Sequence, residues 1–133
     1  AAGLAAANPA FPAAALDLSF RRMAAAVEGD GDYHEADLEF HKTIFLGSDN
    51  QFLRQLVPLL TNTLKVSFSL SVISMDTARS SLPMHRDVAD AIIGRDPAAA
   101  RSALTKLIEA AREDILEVLP QITREERVDG EGY

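Results

Sequence analysis

The sequence predicts an all-α protein, folded as an antiparallel bundle of about six helices. Apolar residues recur at steps of three and four, the spacing of one face of a helix. Proline and glycine interrupt this pattern at intervals that suit helices, and hardly any segment alternates with the period of two expected of strands. With 133 residues, 47% of them hydrophobic, the chain can form one packed core. We therefore predict one helical domain over residues 1–120 and a flexible polar tail over residues 121–133.

Proline, glycine and capping residues separate the first three predicted helices. An Ala-rich run at the start is cut short at Asn8, which is followed by proline. A second helix is expected over residues 12–27, and the glycines within residues 29–31 end it. Asp32 can cap the third helix, which we expect to end near Gly47.

Three more helices follow in the second half of the chain. Asn50 is a good N-cap for a long apolar helix, which Pro58 should bend because proline lacks a backbone donor. The fifth helix is predicted to begin near Pro83, a favoured residue of the first helical turn, and to close at Gly94. The last helix is predicted over residues 97–119, with one apolar face.

Composition limits the partners of the chain. Thirteen basic and twenty acidic residues give a net charge of -7, which argues against a nucleic-acid surface on this chain. The absence of cysteine excludes disulfides, thiolate metal ligands and thiol nucleophiles. No run approaches the roughly 20 apolar residues that span a bilayer, so no membrane association is expected.

Polar residues on inward-turned faces form the most informative pattern. Asp37 and His41 are four residues apart, so they project from one face of the third helix, where a carboxylate and an imidazole can share a metal ion. His85 shares its helix face with Val88 and Ile92, so its ring should point into the core. A hydrogen-bonded core histidine is the alternative interpretation. Buried charges usually pair with each other or bind a cation, so three such residues on inward faces make a metal site the second interpretation.

Several short motifs, in this order along the chain, resemble one protein family. They are Asp37-x-x-Phe40-His41, Asn50 before a long apolar helix, His85-Arg86 leading into Ala91-Ile92 and Gly94-x-Asp96, and Ala100 in the closing helix. Together they resemble the FadR-type C-terminal ligand-binding domain of GntR-family transcriptional regulators. The resemblance covers nearly the whole chain.

This resemblance implies a helical domain that binds a small effector and forms a homodimer in the cytoplasm of a bacterium. Family members carry a winged helix-turn-helix domain ahead of the helical domain, and DNA is contacted only through it. That segment is not in this chain, whose sequence starts abruptly in a predicted helix. The resemblance implies a regulator and not an enzyme.

The resemblance also implies a divalent metal, with zinc favoured. Its ligands in the family are an Asp and a His one turn apart, a His on a later helix and a His on the last helix. The first three match Asp37, His41 and His85, whereas the fourth falls on Leu107, which cannot bind a metal. A metal-free site is therefore an alternative, and His34, seven residues before His41, is a substitute ligand to consider.

A finer resemblance is to the subset that contains D-galactonate operon repressors. It rests on the segment from Ser81 to His85 and on leucine at position 107, and it implies a sugar acid as effector. Serine hydroxyls and arginine guanidinium groups would hold such a ligand. The candidates are Ser67, Ser71, Arg79, Ser81, Arg86 and Arg112.

Two other functions fit the residues. A small helical metalloenzyme would use Asp37, His41 and His85 to hold a metal that activates water. A purely structural dimerisation module would respond to neither metals nor small acids. The exposed apolar residues of the long fourth helix are a candidate dimer surface.

Overall fold

The structure, a computed structural model, describes the backbone of residues 1–70 and 75–130 and the side chains of residues 1–66, 75–117, 119 and 120. This part of the chain contains seven helices and no strand, which confirms the all-α prediction. The helices are α1 (Ala2–Ala7), α2 (Ala13–Val27), α3 (Tyr33–Leu46), α4 (Gln51–Gln55), α5 (Val57–Leu70), α6 (Met75–Ile93) and α7 (Pro97–Gly130).

Helix α2 lies at the centre of the contacts that position the site. It packs against both α3 and α6. Gly29 and Gly31, with φ of 93° and 110°, form the tight turn that reverses the chain between α2 and α3. Arg79 and Arg86 of α6 contact residues near the end and the start of α2, respectively, so α6 is also antiparallel to α2. Helices α3 and α6 therefore run in the same direction.

The core lies between these helices. Its largest fully buried side chains come from α2, α3 and α6: Leu16, Met23, Phe40, Ile44, Val88 and Ile92. Helix α7 adds Ala100 and Leu107 to the same cluster. On α2, α3 and α6, the apolar residues at steps of three and four therefore do face inward, as the sequence pattern predicts.

The capping residues behave as the sequence predicts. Asp32 and Asn50 are the N-caps of α3 and α4, and each side chain accepts hydrogen bonds from two backbone N–H groups of the first turn. The single long helix predicted after Asn50 is instead two helices, α4 and α5, which are separated at Leu56, just before Pro58. Pro58 cannot donate to the carbonyl one turn earlier, which explains an interruption at this point.

Two helix boundaries differ from the prediction. Helix α6 begins at Met75, so the predicted start near Pro83 is wrong and Pro83 lies inside the helix. Helix α7 continues through Pro120 to Gly130, so its predicted end at residue 119 is also wrong. Each proline costs one intrahelical hydrogen bond without ending its helix. The flexibility of residues 121–133 stays a prediction.

Candidate functional site

Helix α3 presents Asp37 and His41 on one face, one turn apart. The cap at Asp32 fixes where this helix begins, because the Asp32 carboxylate accepts the N–H groups of His34 and Glu35. Asp37 is 6% exposed, and the adjoining Phe40 is fully buried. The face that carries the polar pair is thus the core face, as its spacing predicts.

Helix α6 brings His85 to the same point. His85 Nε2 lies 2.9 Å from Asp37 Oδ1, and His41 Nε2 lies 3.4 Å from the same oxygen. One donor atom from each of the three residues lies within 4.8 Å of the other two. The structure therefore brings the three predicted ligands together.

The ring of Phe40 contacts both imidazoles of this polar cluster. Its centroid lies 5.6 Å from that of His41 and 5.2 Å from that of His85, and both pairs of rings meet edge to face. The two imidazoles are themselves 5.7 Å apart. Edge-to-face contacts limit rotation of both rings, so they help to hold the nitrogens toward Asp37.

A backbone carbonyl fixes the orientation of the His85 ring. Its Nδ1 lies 2.9 Å from the carbonyl oxygen of Ser81. Because a carbonyl oxygen can only accept, Nδ1 must carry the proton of this bond. In the neutral ring, Nε2 then carries a lone pair that points at the Asp37 oxygen. Two lone pairs at 2.9 Å repel each other, so this contact calls for a cation between them, either a proton on Nε2 or a metal ion.

The charge of Asp37 is stabilised in spite of its burial. Burial by itself favours the neutral carboxyl. The hydrogen bonds and positive charges of His41 and His85 outweigh burial and hold the pKa of Asp37 below its usual range. Asp37 is therefore an anion at neutral pH, which is the form that binds a metal.

A second polar contact lies one turn before the first on both helices. The hydroxyls of Tyr33 on α3 and Ser81 on α6 are 2.8 Å apart. Ser81 Oγ also lies 2.8 Å from the carbonyl of Ala78. The sequence analysis missed this bond. The signal that could have found it is the repeated spacing, a hydroxyl residue four positions before Asp37 and another four before His85.

The predicted effector arginines lie on two helices, Arg79 and Arg86 on α6 and Arg112 on α7. Arg79 donates to the carbonyl of Val27 and pairs with Glu28, so it caps the end of α2. Arg86 lies over the ring of Phe20 and pairs with acidic residues of α2 and α6. Arg112 is exposed on α7. Their role in effector binding stays a prediction.

Of the three predicted effector serines, the structure describes the side chain of Ser81. Ser81 lies next to the cluster, because its carbonyl bonds His85. Ser71 and the side chain of Ser67 lie outside the described residues.

His34, the substitute ligand considered from the sequence, does not belong to the group of close donor atoms. Leu107 is 5% exposed and packs in the apolar core, so it offers no fourth ligand.

Comparison with known proteins identifies the family. Residues 1–110 match the FCD domain. The match covers most of the chain, which therefore belongs to the FCD domain family and is related to the effector-binding domains of GntR-family transcriptional regulators. The resemblance to the FadR-type C-terminal domain is thus confirmed, while the galactonate subset stays a prediction. The comparison with curated proteins gives no match.

FCD domains are regulatory domains that bind ligands. Within the described residues, no helix has the length and apolar character that crossing a bilayer requires.

Proposed function

We propose that this domain binds a divalent metal ion, zinc by preference, at Asp37, His41 and His85, and that the metal site receives a small carboxylate effector. The observation that carries the proposal is the arrangement around His85. Its Nδ1 is committed to the Ser81 carbonyl, and its Nε2 faces the carboxylate of Asp37. A backbone acceptor behind a histidine is the usual support of a metal-binding imidazole.

The donor set fits zinc. Two imidazole nitrogens and one carboxylate oxygen form a common three-residue zinc set that leaves positions for other ligands. With zinc bonds of about 2.0 to 2.1 Å, tetrahedral donors stand about 3.4 Å apart. The His41 to Asp37 distance is 3.4 Å, and the His85 to Asp37 distance of 2.9 Å would have to widen slightly.

When bound, the metal would supply a Lewis-acidic centre for carboxylate and hydroxyl oxygens. Asp37 contributes one negative charge and the neutral histidines none, so a divalent ion leaves a net positive centre. A buried positive centre favours an anionic ligand. We propose a sugar acid such as galactonate, with Ser81 and Arg86 as the candidate hydroxyl and carboxylate contacts. Ser67, Ser71, Arg79 and Arg112 complete the proposed effector set.

Regulation would follow from a shift between arrangements of the helices. The effector can change operator binding only if it binds one arrangement more tightly than another. The site joins α3 to α6, so a ligand held there links two helices that both pack on α2. We propose that this link changes how a homodimer spaces two DNA-binding domains supplied by the rest of the regulator.

Calorimetric titration with zinc tests the metal site. We expect Asp37→Ala and His85→Ala to weaken zinc binding at least about tenfold, because each removes a ligand. His34→Ala is the matched control, since it removes a histidine of α3 from outside the cluster. Equal zinc affinity in all four proteins would reject the metal site.

Thermal unfolding with a panel of sugar acids tests the effector. A ligand that binds the native state raises the melting temperature by mass action. We expect a rise that requires zinc and disappears with a chelator. A rise that survives chelation would retain the effector and remove the metal. The absence of any rise would favour a structural dimerisation module.

A further inference from the structure

Helices α3 and α6 are joined by two polar contacts with identical spacing. Tyr33 meets Ser81, and Asp37 meets His85 one turn later on both helices. Each pair is separated by 48 residues in the chain. Because one turn separates the contacts on each helix, they form two successive rungs between helices that run in the same direction.

The direction of the hydrogen bond in the first rung follows from its neighbours. Ser81 has one hydroxyl proton, which it donates to the Ala78 carbonyl at 2.8 Å. Ser81 Oγ must then accept from Tyr33, whose hydroxyl is the donor across 2.8 Å. Tyr33 is 5% exposed, so its hydroxyl needs a hydrogen-bond partner, and in the described part of the chain Ser81 is that partner.

We propose that Tyr33 and Ser81 are positioning residues that set the register of α3 against α6 and thereby aim His85 at Asp37. Ser81 links the two rungs, because its hydroxyl accepts from Tyr33 while its carbonyl fixes the His85 ring. A displacement of Ser81 therefore moves the carbonyl that orients Nδ1 of His85. This inference rests on the proposed function only where it concerns metal affinity.

The local structure of α6 explains why the contact between Tyr33 and Ser81 is needed to set the register. Pro83 lies between Ser81 and His85, and it cannot donate to the carbonyl of Arg79. The helix is therefore held less firmly by its own backbone at this point. Both α3 and α6 pack against α2, and the Tyr33–Ser81 and Asp37–His85 contacts join them directly to each other.

Two substitutions remove the first rung, the hydrogen bond between Tyr33 and Ser81, one at the donor and one at the acceptor. Tyr33→Phe removes only the donor hydroxyl. Ser81→Ala removes the acceptor together with the bond from Ser81 to the Ala78 carbonyl, and it keeps the carbonyl that bonds His85. Ser19→Ala is the matched control. Ser19 is 4% exposed and donates to a carbonyl three residues earlier, as Ser81 does, but it lies on α2.

The first readout needs no metal. The Nδ1 proton of His85 should give a protected imidazole signal in the proton NMR spectrum of the metal-free protein, because it is buried and hydrogen-bonded. We expect this signal to be lost in Tyr33→Phe and Ser81→Ala and retained in Ser19→Ala. Retention of the signal in both rung variants would overturn the proposal.

The second readout is zinc affinity. We expect each rung variant to lose about tenfold, the lower end of the effect seen for groups that support a metal ligand. The double variant should lose no more than Ser81→Ala alone, because both single variants remove the bond between Tyr33 and Ser81. Unchanged affinity in both rung variants, beside a large loss in Asp37→Ala, would overturn the positioning role and leave the metal site intact. If the unaltered chain bound no zinc, the metal site would fall, and the imidazole signal alone would decide.

Discussion

Tyr33 should hold its proton more tightly in the folded chain than in the unfolded one. Burial raises its pKa to about 12, the hydrogen bond with Ser81 opposes this rise, and the charge of Asp37 adds to it. An unfolded phenol has a pKa of about 10. The raised pKa therefore contributes stability that is fully present below pH 10 and is lost as the pH rises from about 10 to about 12.

A spectroscopic titration checks this prediction. The chain has two tyrosines, so Tyr133→Phe leaves Tyr33 as the sole phenol. We expect the absorbance change of phenolate formation to have its midpoint well above pH 10 in buffer and near pH 10 in concentrated urea. A midpoint near pH 10 in both conditions would show that Tyr33 is accessible in the native state.

Sequence analysis predicted the residues of the candidate site better than their connections. Helical spacing predicted that Asp37, His41 and His85 face inward, and the family resemblance implied that they are ligands; the structure brings their donor atoms together. The bond between Tyr33 and Ser81 joins positions 48 residues apart. Periodicity describes which face a residue occupies within one helix and contains no information on the register between two helices.

At the scale of elements, the cap of α3 is expected to matter for the whole site. The Asp32 carboxylate accepts two N–H groups of the first turn. Asp32→Ala should lower the free energy of unfolding by about 0.5 to 2 kcal/mol, the range for loss of an N-cap. Chemical denaturation measures this, with Asp30→Ala as a control that removes the same charge from the same turn. Equal effects of the two substitutions would assign the loss to charge.

The junction after α3 is tightly packed. A Cβ atom added at Gly47 would meet the ring of Phe11, and it would lie 2.9 Å from the carbonyl oxygen of Thr43. Gly47→Ala should therefore destabilise the protein by about 1 to 3 kcal/mol, as overpacking does. Denaturation of Gly47→Ala in a Phe11→Leu background identifies the obstacle. If the smaller side chain restored no stability, the Phe11 ring would not be the cause.

Helix boundaries show where sequence patterns fail. Capping residues predicted the starts of α3 and α4, since a cap acts within its own turn. Pro83 and Pro120 were interpreted as boundaries, yet α6 and α7 continue through them. Proline removes one hydrogen bond, and packing along the rest of a long helix can offset that loss. The strength of that packing is a tertiary property that local sequence does not contain.

At the scale of the whole molecule, α4 and α5 carry an apolar surface that the domain itself leaves in water. Phe52, Leu56, Leu59 and Val66 are 69%, 44%, 63% and 56% exposed. Leu59 and Val66, seven residues apart, share one side of α5, while Phe52 lies on α4 and Leu56 at the junction between the two helices. Single exposed leucines are ordinary on protein surfaces, whereas a continuous apolar stripe is typical of an interface. We expect a second copy of the chain to cover this stripe.

Sedimentation velocity tests this expectation with a pair of matched variants. Leu59→Lys places a charge at the centre of the stripe and should convert dimers to monomers, because an unpaired buried charge opposes association. Leu18→Lys is the control, since Leu18 is 49% exposed and lies on α2, away from the stripe. Both variants should keep the helical circular dichroism of the unaltered chain. Dissociation by Leu18→Lys alone, or a monomeric unaltered chain, would exclude α4 and α5 as the dimer surface.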